Sequence, residues 1–475
     1  MNGGIQLQQQ DQQQLSHTKN PIGCLDQWKK MMSTRPLNAL AELFASCNVR
    51  FAMLVVLEEG TDLTTTKTDL ERTTQRALDS CRLGYLTLSK QKSNNNEKIV
   101  WSLIESSDNN NNCKVVVREH TRDNNTLTND YGSVLDNLVQ QETAPAEGPI
   151  AVQIFSVNDK STSQLSEESN MNQNKNLLLY INGNHAMVDG RSMTHLIGLA
   201  TSMYKPSSEW KTIVLPDWKD MVATATTTIP SPINDTEPPF LLGEHGEVIS
   251  IRDLGSDRTS KSESFRHDIS GETVMIIRQV LKKKALGATL SGFLVAVISH
   301  AIAMEYTGSE PKDVGVSMLV DLRPYLQRDY SIEDIPQAHG TVTLMESTKK
   351  LKSSNIESLL EASVRFTEQM RTRINRGEAH RAALAVCNGH FDHRAGPTGT
   401  IEVSNLGVCK IPHGAKLYTS QRFDGYDGVS FMVHSEGNSS GCMRWNMSVG
   451  EGLDAAVIRR IFQRAVNTFQ EIEKL

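Results

Sequence analysis

The sequence predicts an α/β fold in two lobes, and three observations carry the expectation. Short apolar runs of strand length alternate with stretches whose apolar residues recur at helical spacing. Each half of the chain mixes both kinds and ends with or near a helix. Between the halves, "IPSPINDTEPPFLLGEHGE" (229–247) is rich in Pro and turn residues, which marks a linker. The expected division is a disordered Gln-rich tail over 1–20, an N-terminal lobe over 21–225, a linker over 226–260 and a C-terminal lobe over 261–475.

Taken in order, "RPLNALAELFA" (35–45) reads as a short amphipathic helix and "VRFAMLVVLEE" (49–59) as a strand. Leu70, Thr74, Ala77 and Cys81 lie along one side of a helix over 64–81. "KIVWSLIES" (98–106) and "CKVVVREH" (113–120) read as the two strands of a hairpin around "SDNNNN". "GPIAVQIFSV" (148–157) and "NLLLYING" (176–183) are further strands, joined by a polar loop. After Asp189 the period changes: Met193, Leu196, Ile197, Ala200 and Tyr204 fall at helical spacing, with Asp189 as the N-cap. In the second half "ESFRHDIS" is a strand, followed by two helices split at Gly287, with Thr289 capping the second. "KDVGVSMLVDLRPYL" is a strand ending in a charged turn, "HGTVTLMES" another strand and "IESLLEASVRFTEQMRTRI" a long helix. "GTIEVSNLG", "GVSFMVHSEG" and "CMRWNMSVG" are strands, and "AAVIRRIFQRAVNTFQEI" closes the chain as an amphipathic helix. No internal repeat is visible.

Composition narrows the function classes. The chain has 475 residues, 38% hydrophobic and 22% charged, with a formal net charge of −6. Its mean hydropathy is −0.37, and no apolar run reaches the roughly 18–20 residues of a membrane span, so no transmembrane segment is expected. The start, "MNGGIQLQQQ", has neither a basic n-region nor an apolar h-region, which argues against a secretory signal. Mild acidity with scattered Lys and Arg argues against a nucleic-acid partner, and the longest basic run, "KKK" at 282–284, reads as a solvated helix face. The 7 cysteines are odd in number and scattered, with no CxxC, which favours reduced thiols and a cytoplasmic location.

The stretch "NHAMVDGRS" (184–192) carries the candidate chemistry. His185 and Asp189 stand four apart, which on a continuous helix would suit a metal. The preceding run is strand-like, however, no third ligand lies nearby, and the best further candidates, His390 and His393, form a lone HxxH about two hundred residues away. A second reading is a histidine that satisfies backbone groups at a strand end. A third makes His185 a general base, since an imidazole takes and returns protons near neutrality. In that reading Gly190 leaves room for a reacting carbon and Asp189 locks the turn by pairing with a remote arginine. The five or six residues of the motif do not separate these readings.

Other segments do. The pattern resembles the chloramphenicol acetyltransferase-like superfamily, which includes peptide-synthetase condensation domains, BAHD acyltransferases and alcohol acetyltransferases. "RPLNALAEL" looks like its opening helix, and "LLLYINGNHAMVDGRSM" is similar to its strand, HxxxDG turn and helix. "KKKALGATLSGFLVAVISHAIA", "VGVSMLVDLRPYL" with "HGTVTLME" after it, and "EVSNLG" resemble its later elements, in the same order. Each element alone has low specificity; the ordered set, over roughly 30–475, is specific.

The resemblance implies two similar chloramphenicol acetyltransferase-like domains, each with a mixed sheet flanked by helices, meeting at a tunnel. It implies His185 in mid-tunnel as the general base that deprotonates an alcohol or amine acceptor, with acyl-CoA as co-substrate, no bound cofactor and no metal. Asp189 and Gly190 would be structural at the active site, with Arg323 of "DLRP" the partner expected for Asp189. Ser404 and Asn405 are the candidate oxyanion or substrate contacts, against a reading in which Asn405 only holds a strand-end turn. Ser192 and Ser291 have helix-surface explanations. Two departures matter. The first histidine of the condensation-domain HHxxxDG is Asn184 here, which points toward alcohol acetyltransferases or BAHD-type enzymes, and the DFGWG of BAHD proteins is absent, with "FDGYDG" (423–428) at best a distant echo. No carrier-protein or adenylation segment is visible, so a free-standing acyl-CoA enzyme is the expectation. A condensation-like enzyme using a carrier-protein thioester and a catalytically silent binding module are the rivals. "GPTGT" lacks the lysine of a P-loop, and no GxGxxG or GxSxG is present.

Overall fold

The computed structural model describes residues 34–36, 49–58, 67–80, 86–92, 99–105, 116–121, 131–141, 150–158, 175–205, 247–255, 257–258, 261–325, 332, 337–352, 355–387, 400–423, 428–472 and 474. In the first half these form strands β1 (Thr34–Pro36), β2 (Val49–Leu57), β3 (Leu86–Lys92), β4 (Ile99–Glu105), β5 (Val116–Thr121), β6 (Ile150–Asn158) and β7 (Lys175–Asn184). Helices α1 (Lys67–Ser80), α2 (Tyr131–Gln141) and α3 (Gly190–Ala200) accompany them. The second half adds strands β8 (Glu263–Ile269), β9 (Asp313–Asp321), β10 (His339–Ser347), β11 (Ile401–Cys409), β12 (Lys416–Phe423), β13 (Val429–Glu436) and β14 (Met443–Val449). Its helices are α4 (Gly271–Lys284), α5 (Leu290–Glu305), α6 (Thr348–Lys352), α7 (Ile356–Asn375), α8 (Glu378–Cys387) and α9 (Ala455–Ile472).

The strand that leads into His185 is central, and its sequence says why. Strands buried on both faces read as unbroken apolar runs. In β7, Leu179 and Ile181 enter one core with Met193, Leu196 and Ile197 of α3, while Leu178 and Tyr180 enter another with Leu135 and Val139 of α2. The sheet order is β12-β2-β7-β6-β5. β12 pairs antiparallel with β2, from Lys416↔Val56 to Phe423↔Val49. That strand comes from the second half of the chain, so the sheets do not divide strictly by halves.

One expectation is corrected here. β4 and β5 do not pair as a hairpin: β4 joins β3 and β1 in a three-stranded sheet, and β5 pairs parallel with β6. Parallel neighbours need a crossover, and α2 lies between β5 and β6 in the chain. An Asn-rich connection carries the same turn signal whether the next strand returns to its neighbour or leaves for another sheet.

The second sheet runs β10-β9-β11-β13-β14-β8. Apart from an irregularity in β11, its residues alternate between two environments. Val342, Val316, Val403, Phe431 and Trp445 face a core shared with α5 and α9. α5 is buried on nearly every side, Phe293 to Ser299 and Ala301 to Ala303, and that stretch is correspondingly apolar apart from Ser299 and His300. The opposite face carries His339, Ser317, Glu402, Ser404, Ser430, His434 and Asn446, aligned by the strand register. A sheet face this polar must look onto another polar layer or a cavity, and it looks toward the first sheet: His434 Nε2 donates to Leu417 O of β12 at 2.9 Å.

No helix of the described residues is long and apolar enough to cross a membrane. The Gln-rich tail, residues 37–45 of the expected first helix, His390, His393, 396–399 of "GPTGT" and most of 229–247 and 423–428 lie outside the described residues; 34–36 form β1.

Candidate active site

The turn between β7 and α3 is held from its first residue. Asn184 O accepts from the amides of Met187 (2.9 Å) and Val188 (3.2 Å), and its side-chain Oδ1 accepts from Ala186 N at 2.9 Å. Such an Asx turn needs a short carbonyl side chain. Gly183 precedes it because a Cβ there would lie 2.4 Å from Val188 Cγ2. The folded-back turn brings His185 Nδ1 to 3.0 Å from Val188 O. A carbonyl oxygen only accepts, so Nδ1 carries the proton and Nε2 holds the lone pair. Burial pushes the imidazole below its ordinary value of 6.5, so the ring is neutral at neutral pH.

Asp189 does three things at once. As the N-cap of α3 it accepts from Ser192 N at 2.9 Å, while Ser192 Oγ accepts from Asp189 N at 3.0 Å, a reciprocal capping box. Its Oδ2 accepts from Arg323 Nη2 at 2.7 Å and from Ala338 N at 2.9 Å. Burial would raise its carboxyl, but the Arg323 charge, the neighbouring His339 and these two amides more than offset that and hold it below the ordinary range. Arg323 is itself fixed at the end of β9, where Asp321 Oδ1 accepts both its amide (3.1 Å) and its Nη1 (3.0 Å). The pair is 4% and 7% exposed, so neither charge is screened by water.

These groups meet in a cavity of about 370 Å³ between the two sheets. Phe51, His185, Asp189 and Gly190 line it from the first half, and His339, Arg323, Ser291, Glu402 and Ser404 from the second. The His185 and His339 ring centroids are 5.3 Å apart, and Phe51 stands 6.0 Å from His185 on another side. Burial, then the neighbouring His185, depress the His339 imidazole to about 3. Glu402 moves the other way: burial pushes its carboxyl up to about 7, opposed by the Ser430 hydroxyl.

The "SNLG" segment, Ser404 to Gly407, lines the same cavity. Asn405 Nδ2 donates to Ser291 Oγ at 2.9 Å, and its Oδ1 accepts from Gly407 N at 2.9 Å, across an irregularity where the β11 register shifts. Gly407 sits there at φ 71°, a left-handed conformation that glycine tolerates. Ser404 lines the cavity, and its hydroxyl makes no hydrogen bond to another described residue. Two sequence readings are corrected. The space above Gly190 is not open: a Cβ there would lie 2.3 Å from Leu406 Cδ2, so the glycine admits the SNLG leucine rather than a reacting carbon. Ser192 and Ser291 are not helix-surface residues; one completes the buried capping box and the other anchors Asn405 at the cavity.

No protein-family model matches the sequence, nor does any curated protein. Solved structures do match the fold. TRI3 trichothecene 15-O-acetyltransferase from Fusarium sporotrichioides superposes with a TM-score of 0.63 at 15% identity, over 92% of this chain and 95% of that one. The condensation domain of Monacolin K polyketide synthase MokA gives 0.58 at 10%, covering 93% and 98%. F. sporotrichioides TRI101, solved with coenzyme A and T-2, gives 0.56 at 13%, covering 90% and 97%. The chain therefore shares the fold of these acetyltransferase and condensation-domain structures.

The sequence reading named His185, Asp189, Gly190, Arg323, Ser404 and Asn405, and all of them line this one cavity. It did not name His339 and Glu402, which line the cavity too. Neither has a local signal, since each is one polar residue on an alternating strand, and only the register shows that both face inward with Ser404. Among the described residues no group of three His, Cys, Asp or Glu side chains could hold a metal ion.

Proposed function

We propose that this protein is an acyl-CoA-dependent acyltransferase that moves an acetyl or other acyl group to a hydroxyl or amine acceptor. The observation that carries the reading is the His185 ring, its tautomer set by Val188 O, on the wall of the cavity between the sheets. The acceptor O–H or N–H gives its proton to Nε2 as its heteroatom attacks the thioester carbonyl carbon. The tetrahedral oxyanion collapses, the C–S bond breaks, and the imidazolium returns the proton to the departing thiolate. Ser404 donates to the oxyanion, while Asn405 positions the strand; Asp189, Gly190 and Arg323 hold the turn. CoA appears with two proteins of this fold, TRI101 and the rhizomide synthetase starter condensation domain solved with C8-CoA, which supports a CoA thioester as donor. Condensation domains among the matches keep a carrier-protein thioester as the second reading.

The test follows thiol release from acetyl-CoA and longer acyl-CoAs with simple alcohols and amines. Release with at least one pair, abolished in folded His185→Ala, supports the assignment. Acyl-CoA binding without turnover under any pairing supports a silent binding module instead.

A further inference from the structure

Among the described residues, the three glutamates that are buried come with arginines. Glu346 pairs with Arg365 at 2.8 Å, Glu378 with Arg373 at 3.0 Å and Glu436 with Arg444 at 2.7 Å. Glu402, on the cavity wall, does not: its sole side-chain hydrogen bond within the described residues is from Ser430 Oγ at 3.5 Å, the outer limit for such a bond. Its register neighbours on β9 and β13 are Ser317 and Ser430, both hydroxyls. The other charges of the cavity are committed to one another, Arg323 to Asp189 and Asp321, and Arg191 toward Asp321 at 3.7 Å. Met318, Met370, Ile374 and Met432 share the wall, so little there compensates a carboxylate. Glu402 and Ser404 lie two residues apart on one strand, so they stand about 7 Å apart on the same face.

We infer that Glu402 recognises the acceptor, by pairing with a cationic amine that the acceptor carries away from the group that reacts at His185. The inference rests on the acyltransferase reading and adds a substrate class to it: amine-bearing alcohols and diamines. The partner belongs to the acceptor rather than to the acyl donor, because CoA is polyanionic and a carboxylate along its path would repel it. Burial, which pushes this carboxyl up to about 7, is the cost that such a cation would relieve.

The experiment uses the full-length protein with plain alkanols and ω-amino alkanols of matched, graded length. Thiol release from acetyl-CoA is followed above pH 7, and binding of each alkanol without donor is measured by calorimetry. A hydrogen bond to a charged group predicts that kcat/KM favours the amino alkanol by about 10- to 100-fold. Glu402→Gln should collapse that ratio, chiefly through KM for the amino alkanol, and removes no packing that would endanger folding. Equal kcat/KM for both members of each pair in the unsubstituted protein overturns the inference, as does a Glu402→Gln effect confined to KM for acetyl-CoA. If no pair releases thiol, the acyltransferase reading fails, and calorimetry still decides: amino-alkanol binding that Glu402→Gln weakens upholds recognition, and its absence ends it.

Discussion

Arg323 Nη2 lies 2.7 Å from Asp189 Oδ2, joining residues 134 apart in sequence. The contact ties the N-cap of α3, the helix that follows the His185 turn, to the end of a strand in the other sheet, so this ion pair joins two walls of the cavity. Ala338 N adds a second tie to the same oxygen and fixes the start of the His339 strand. Asp189 therefore shapes the site without any need to touch the His185 ring.

Removing one partner of this pair leaves a buried charge alone, which costs about 3–5 kcal/mol. Asp189→Asn and Arg323→Met should each lower unfolding stability by about that amount, and activity with it. His185→Ala should abolish turnover with far less effect on stability. Denaturant unfolding curves of the three variants check this; a fully stable Asp189→Asn would contradict the ion pair's structural role.

Ser404 and Asn405 are neighbours with different expected signatures. Losing an oxyanion donor costs about 2.7–4 kcal/mol in kcat, so Ser404→Ala should lower kcat by about 100- to 1,000-fold with little change in KM. Asn405→Ala breaks the bonds to Ser291 and Gly407 and should lower stability as well. Steady-state kinetics beside thermal melts separates them. Similar profiles for the two would remove Ser404 from the chemistry.

Gly190→Ala sets a methyl group 2.3 Å from Leu406 Cδ2 and 3.4 Å from Phe51 Cζ. Overpacking of this kind costs about 1–3 kcal/mol and pushes Leu406 into the cavity. Activity should fall, and Leu406→Ala added to Gly190→Ala should recover part of the lost stability. A double variant less stable than either single one would show that the clash lies elsewhere.

Because burial holds the His185 imidazole below 6.5, its base form persists as pH falls through that value. For alkanols without an amine, the acid limb of kcat/KM should therefore be centred below 6.5. An acid limb centred above 6.5 would assign the titrating base to another group.

Glu402 gives the opposite dependence, in stability. Its folded value of about 7 exceeds the ordinary 4.5, so the folded protein favours the protonated form. The penalty is absent below pH 4.5 and grows as pH rises toward and through 7. Glu402→Gln should match the unsubstituted protein below pH 4.5 and exceed its stability above 7, measured by denaturant midpoints across pH. A constant difference at every pH would mean that the carboxyl is ordinary.

The sequence by itself determined the local pieces. Apolar periodicity predicted the strands β2 and β7 and the helix after Asp189, and Asp189 and Thr289 were readable as caps because capping depends on residues three positions apart. Ordered motifs along the chain named His185, Arg323 and Ser404 as one site. What the tertiary structure decided was partnership: that β5 pairs with β6 and not β4, that β12 closes the first sheet, and that His339 and Glu402 face the cavity with Ser404. A two-residue repeat tells which residues share a face, but not which face looks at a cavity or which strand lies alongside. Those choices come from contacts between residues far apart in sequence, Val116 with Gln153 in one case and Lys416 with Val56 in another, and no short window of sequence holds both partners.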